Sequence, residues 1–181
     1  MSTGSMEQLY QQVILDHAKF PHGRGLPTDG LGPAGASATA VVDHGTCAAQ
    51  SHQVNPTCGD EVTLRVDLDT SGAAPVVSDV RWEGQGCSIS QASVSVLHDL
   101  VVGADLARVD ELGRHFRLLM SSRGAGVDEA VEEDLGDAAA FTGVSRYPAR
   151  IKCALLGWSA LNDALIRTGA TAPATPTKET A

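Results

Sequence analysis

The stretch "EVTLRVDLD", Glu61 to Asp69, alternates apolar and polar side chains without a break: Val62, Leu64, Val66 and Leu68 against Thr63, Arg65, Asp67 and Asp69. A period of two places the four apolar side chains on one face of a pleated strand, the pattern of a strand buried on one side. Two more strands are predicted around it. "ATAVVDHG" precedes it, and "PVVSDVRWEG" follows the hairpin connection "DTSGAAP". Three consecutive strands on short links make a small antiparallel three-stranded sheet.

Outward from the sheet the periodicity becomes helical. Glu7 to Ala18 reads as a helix with Leu9, Val13 and Ile14 on one face, broken by "PHGRG" and "PTDGLGPAG". After Cys87, "SISQASVSVLHDLVVG" sets Ile89, Ala92, Val96 and Leu100 on one face and ends at Gly103. "ADLARVDELGRHFRLLMSS" and the acidic "VDEAVEEDLGDAAAFTGV" are amphipathic. A last helix runs from about Pro148 to Arg167, its buried stripe formed by Ile151, Ala154, Leu155, Trp158, Leu161 and Leu165. The fold class is α+β, one sheet with helices packed on one side. Residues 6–168 form a single domain, with a flexible Gly/Pro-rich segment over about 23–38. Residues 1–5 are a disordered start, and the Pro/Thr-rich 169–181 a disordered tail.

The chain has 181 residues, enough to bury a core, and is 43% hydrophobic but only 4% aromatic. The core therefore falls to Val, Leu, Ile and Ala, with Trp82 and Trp158 expected inside it. A net charge of −9 without any block of Lys or Arg argues against a nucleic-acid partner, whose phosphates select basic faces. No apolar run is long enough to span a membrane, and the N-terminus lacks the basic and apolar regions of a signal peptide. A cytoplasmic protein is the expectation.

In a reducing cytosol the four cysteines, Cys47, Cys58, Cys87 and Cys153, are buried small hydrophobes, metal ligands or catalytic thiolates rather than disulfides. Cys58 lies in the turn "NPTCGDEV". Cys87 follows "EGQG" at a strand-to-helix junction, and Cys153 sits in the first turns of the last helix, one step off its apolar stripe. Asp60 is two residues from Cys58 across Gly59, so both side chains can reach one ion from a turn. Three thiolates and a carboxylate suit tetrahedral Zn²⁺. No C-x-x-C pair is present, so spacing alone leaves a shared metal site and three separate buried thiols both open.

"NPTCGDEV", "EGQGCSISQASVSVL" and "GVSRYPARIKCALLGW", together with the opening "LYQQVILDHAKFPHGRG", resemble the SufU branch of the U-type (IscU/NifU-N) iron–sulfur cluster assembly family. The resemblance covers roughly Glu7 to Arg167, with a gap around Asp29 to Gln53. It implies an α+β, SufE/NifU-like fold and metal ligands Cys58, Asp60, Cys87 and Cys153. Two activities exist in the family. Scaffolds of the IscU type build a [2Fe–2S] cluster, with a histidine before the last cysteine and a Leu-Pro-Pro-Val-Lys chaperone motif nearby. Here Lys152 precedes Cys153 and "YPARIK" stands in place of that motif, and a helical insertion, "LARVDELGRHFRLLMSS", lies between the second and third thiols.

These departures favour the zinc-dependent sulfurtransferase activity. The resemblance then implies that persulfide sulfur is accepted from the cysteine desulfurase SufS and passed to the SufBCD scaffold, with a partner histidine replacing one cysteine on the zinc. Cys58, on a glycine-flanked turn, is the expected acceptor; Cys87 and Cys153 hold the metal. Arg150 or Lys152 would steady the transferring thiolate, or would be solvated surface charges.

Cys47 lies near His44 and His52 in "DHGTCAAQSHQ", an arrangement that suggests a second metal but reads more simply as an incidental thiol. His17 either meets a partner or caps and packs its helix. The acidic run Asp128 to Asp137 is expected to be a solvated face.

Overall fold

The computed structural model describes residues 3–28 and 31–170. Helix α1 (Thr3–Lys19) is followed by a loop and four strands, β1 (Ala38–Asp43), β2 (Thr46–Asn55), β3 (Asp60–Asp69) and β4 (Val76–Gln85). Then come α2 (Ser88–Val101), α3 (Leu106–Ser121), α4 (Glu129–Leu135), a 3₁₀ stretch (Gly136–Arg146) and α5 (Pro148–Thr168). The expected α+β arrangement is present: an antiparallel sheet, in spatial order β1-β2-β3-β4, with helices on one face. The three expected strands are there, and a fourth, β2, runs between the first two.

Strand β2 carries no periodic signal because "TCAAQSHQVN" is small and polar along most of its length. Its neighbours make it a strand. It pairs with β3 over its whole length, Thr46 opposite Asp69 through Asn55 opposite Asp60. It joins β1 by a two-residue turn, His44–Gly45, in which both residues have positive φ (23° and 87°). That is the turn geometry whose twist matches a right-handed hairpin.

The alternation in β3 does what its pattern implies. Val62, Leu64, Val66 and Leu68 are all buried against the helices. The opposite face is not left to water, since Thr63 and Arg65 are also buried. The Gly/Pro-rich segment covers it: Gln50 Nε2 donates to Pro33 O (3.1 Å) and Ala36 O (2.8 Å), and the Gly35 N–H donates to Thr63 Oγ1 (2.8 Å). Upstream, Gly23 and Gly25 clip the chain to the edge of β4 through the backbone of Trp82, whose indole N–H donates to His22 O (2.8 Å).

Burial on helix α2 extends beyond its expected apolar side, Val94, Leu97 and Val101 included, to Ser90, Ser93 and Ser95, while Ser88 and Asp99 stay exposed. The helix runs between the sheet, α1 and α5. Small residues let those elements close on it, and its hydroxyls find internal partners, as Ser93 Oγ does in donating to Ala154 O (2.6 Å). The α2–α5 crossing is tight enough that a Cβ on Gly157 would come within 2.6 Å of Val94 Cγ2. Trp158 stacks on Phe116 (centroids 5.1 Å), and both tryptophans are in the core as expected.

Some boundaries and faces differ from expectation. Helix α1 begins at Thr3, inside the stretch expected to be a disordered start, and Leu9 is exposed, so its buried face is carried by Ile14, His17 and Ala18. The acidic run is not simply a solvated face. Tyr10 donates to Glu132 (2.5 Å), Arg108 donates to Asp134 (2.8 Å), and Asp137 lies 3.3 Å from His17, because α4 and the 3₁₀ stretch fold back over α1 and α3. Gly169, at φ 69°, closes α5; residues 1–2 and 171–181, which belong to the expected disordered ends, lie outside the described residues. Among the described residues no helix is long and apolar enough to cross a membrane.

Replacing Gly157 with Ala forces a methyl group onto Val94. The overpacking costs about 1–3 kcal/mol, against up to about 1 kcal/mol regained in helix propensity. The expected outcome is a lower midpoint in urea unfolding with an unchanged slope.

Candidate metal centre

Three chain corners meet at one end of the sheet. The first is the β2–β3 hairpin loop. Asn55, the last residue of β2, organises it: its side-chain Oδ1 accepts from Thr57 N–H (3.1 Å) and its carbonyl from Gly59 N–H (2.8 Å). Gly59 has φ 77°, a left-handed conformation that glycine adopts without strain. Cys58 is exposed on this loop, and Asp60, the first residue of β3, points inward and is buried.

The second corner is the start of α2, where Cys87 is the N-cap residue, exposed and in extended conformation. Ser90 Oγ donates to the Cys87 carbonyl (2.9 Å). The third is the second turn of α5. There Cys153 is buried, with its thiol 3.7 Å from Ala149 O and 3.8 Å from Asn55 Nδ2.

The thiols of Cys58 and Cys153 are 3.5 Å apart although their residues are 95 positions apart. One donor atom each from Cys58, Asp60 and Cys153 lies within 4.8 Å of the others. Cys87 stands outside that set of three, but its thiol and backbone N–H are polar neighbours of the Asp60 carboxyl. Close packing keeps the pieces in register: a Cβ on Gly86 would come within 2.8 Å of Asp60 Cγ and collide with Ser90 Oγ.

The electrostatics of this corner ask for a cation. Burial pushes the Asp60 carboxyl towards neutrality, but the Cys87 thiol, Ser90 hydroxyl, Cys87 N–H and Cys58 thiol outweigh it and hold the group below the ordinary carboxylate range. Yet Oδ2 of Asp60 is fully buried and receives no hydrogen bond of normal geometry. A buried carboxylate oxygen without a partner is costly. Cys153 shows the converse. Burial first, then the Cys58 thiol and the negative charge at Cys87 and Asp60, drive its pKa far above the usual thiol value. A divalent cation relieves both, accepting the bare oxygen and displacing the thiol proton. The donor set of soft sulfurs with one oxygen matches Zn²⁺.

The other expected residues lie elsewhere. Arg150 is exposed on the first turn of α5, its guanidinium 4.9 Å over the Tyr147 ring, and among the described residues it forms no ion pair. Lys152 is exposed. Cys47, His44 and His52 do not converge. Cys47 is buried against Thr168 O (3.6 Å), His44 is in the exposed hairpin turn, and His52, an odd number of residues along the strand from Cys47, meets Thr63 Oγ1 (2.9 Å). His17 packs inside, against Ser95. Sequence reasoning misses Asn55; an Asn followed by Pro-Thr at a turn is its one local signal.

The NifU-like N terminal domain model matches residues 9–154. A Bacillus subtilis protein, zinc-dependent sulfurtransferase SufU, is 38% identical over 87% of this chain and 89% of its own length. The Streptococcus pyogenes iron–sulfur cluster assembly scaffold protein IscU is 32% identical over 92% of this chain and 89% of its own. Among solved structures, a candidate iron–sulfur cluster assembly scaffold for the SUF system from Fervidobacterium islandicum superposes with a TM-score of 0.65 at 30% identity, covering 88% of this chain and 98% of that one.

The raised pKa of Cys153 fixes the sign of a pH effect. A thiol whose folded pKa lies above its unfolded value adds stability that is complete below about pH 8.5 and is lost as pH rises through the folded value. Cys47, also raised by burial and then by Asp67, acts in the same sense. Urea unfolding of the metal-free chain is expected to show stability falling above pH ~8.5, with Cys153→Ser removing the larger part of the fall.

Proposed function

Since the chain belongs to the NifU-like N terminal domain family of iron–sulfur cluster assembly proteins, we propose that its place there is that of a zinc-dependent sulfur carrier. Cys58, Asp60, Cys87 and Cys153 hold the metal in this reading. It receives sulfur from a cysteine desulfurase of the SufS type and delivers it to a SufBCD-type scaffold. One observation carries the proposal: an exposed thiol, on a loop that turns at Gly59, sits beside a buried thiol and a buried carboxylate oxygen that lacks a partner. When bound, zinc keeps its cysteines in the thiolate form at neutral pH and undergoes no redox change.

The chain's own residues divide the work. Cys153 and Asp60 are buried and fixed by Asn55 and by the packing of Gly86, so they hold. Cys58 and Cys87 are both exposed; Cys87, the N-cap of α2 with its carbonyl held by Ser90, holds, and Cys58, on the loop that turns at Gly59, exchanges. As a thiolate its Sγ attacks the terminal sulfur of the partner's persulfide; that S–S bond breaks, the partner's thiolate leaves, and Cys58 carries the persulfide and its proton. In this proposal Arg150 attracts the leaving thiolate, exposed as it is three residues before Cys153.

A second reading, a scaffold that carries a [2Fe–2S] cluster as cargo on the same cysteines, is supported by the names of two relatives. One zinc per chain and no cluster absorbance in protein purified without air decides against it.

Mixing the zinc-loaded chain with desulfurase and cysteine is expected to add one sulfur to the Cys58 peptide in mass spectra. Cys58→Ser gives no such peptide while keeping its circular dichroism. Sulfur on Cys87 or Cys153 alone would reject Cys58 as the acceptor. In the same assay Arg150→Ala is expected to lower desulfurase activation with zinc retained, and unchanged activation removes Arg150 from the mechanism.

A further inference from the structure

Helix α2 leads from the thiol centre at its N-terminus to a second gathering of donors at its other end, twelve residues or about 18 Å from Cys87 to Asp99 at the rise of an α-helix. His17 of α1, His22 of the loop after it and Asp99 in the last turn of α2 each bring one donor atom to within 4.8 Å of the others. The two imidazoles meet edge to face, centroids 5.1 Å apart.

Each donor is held from behind. Buried Ser95 Oγ lies 2.8 Å from His17 Nδ1 and also accepts the His22 backbone N–H at 2.8 Å, which anchors both histidines to one hydroxyl. His17 Nε2, the nitrogen on the far side of the ring from Ser95, lies 3.3 Å from Asp137 Oδ2. Asp99 is held the same way. His98 Nδ1 takes Oδ1 at 3.0 Å, leaving Oδ2 to face His22 Nδ1 at 2.7 Å. Outer partners that fix the tautomer of a histidine and the orientation of a carboxylate are what metal-ligating side chains characteristically have.

The charge around them suits a cation. Asp137 lies beside the cluster and Asp79 lies beyond His98, and among the described residues the ion pairs of Asp79, Asp99 and Asp137 are with histidines alone. The contrast is Glu111, His115 and Asp134, which also converge. There the Arg108 guanidinium takes both Asp134 oxygens (2.8 and 3.1 Å) and Glu111 (2.6 Å), so a cation is already in place. No such group fills the His17 cluster among the described residues, and His22 and Asp99 open it to solvent, with side chains 53% and 42% exposed.

We infer that His17, His22 and Asp99 form a second metal site, separate from the thiol centre, for a divalent first-row transition cation that takes imidazole and carboxylate donors. Sulfur-free donors of this kind suit Zn²⁺, Ni²⁺, Co²⁺ or Fe²⁺ and not the hard Mg²⁺ or Ca²⁺. Asp137 is a further oxygen within reach. An ion here would staple the loop after α1, already clipped to Trp82, onto the end of α2.

The test uses the full chain with its thiol centre already loaded with zinc, titrated calorimetrically with Ni²⁺. The expected result is one further equivalent, weakened at least about tenfold, the loss typical even of removing an outer-shell partner, in both His22→Ala and Asp99→Asn. His44→Ala, at an exposed histidine outside the cluster, leaves it unchanged. Should a variant fail to fold, the wild-type chain decides through paramagnetic Ni²⁺, which is expected to broaden the imidazole resonances of His17 and His22 before that of His44. Absence of a further equivalent, binding indifferent to both substitutions, or uniform broadening of all three imidazoles overturns the inference.

Discussion

The molecule is organised around a helix that neighbours cover over most of its surface. Helix α2 is enclosed by the sheet, α1 and α5, and the enclosure dictates its sequence: small residues where neighbours approach, and serines whose hydroxyls are spent inside. Ser90 braces the Cys87 corner, Ser93 ties α2 to α5, and Ser95 gathers two histidines. The same confinement fixes where the chemistry is. A rod gripped by the sheet and two helices cannot shift along its axis without breaking the core, so the groups at its two ends keep their positions relative to the sheet.

The thiol corner illustrates how a fold can hold an unfavourable arrangement open. A carboxylate with a bare buried oxygen weakens the structure locally, and a thiol driven well above its usual pKa resists giving up the proton that a metal must displace. They persist because the hairpin pairing of Asn55 with Asp60 and the close approach of Gly86 leave the side chains no other place to go. Local destabilisation of this kind is characteristic of sites whose ligand supplies the missing interaction.

What the sequence disclosed followed the strength of its patterns. The alternation in β3 has a single physical solution, and α5 spans the residues expected of it, although Ile151, Leu155 and Leu165 are only partly buried and Cys153, Leu156 and Ala164 belong to its buried face. Strand β2 is invisible in the sequence because Cys47, Ala48, Gln50 and Ser51 are buried by neighbours rather than by their own hydrophobicity. The acidic run hides its role for a related reason: whether Asp134 or Glu132 is solvated depends on Arg108 and Tyr10, distant in sequence. For the thiol corner, Gly59 and the cysteines at element boundaries raise the question. Spacing cannot answer it, and the resemblance of three motifs does. Convergence of His17, His22 and Asp99 has no signal, since it arises only when α1 lies across α2.

The order in which the thiol corner is assembled has a bearing on how the protein is made. Cys58 and Cys87 belong to the hairpin and the start of α2, whereas Cys153 waits for α5, the last of the described elements. During synthesis, at about 5–20 residues per second, the sheet and α2 leave the ribosome seconds before the helix that buries their shared face. For that interval the nascent chain presents the two site thiols without their partner, the Cys47 thiol without its cover, and an uncovered sheet. The arrival of α5 covers the sheet and supplies Cys153, so a single late packing event both completes the core and brings the third site cysteine to the other two.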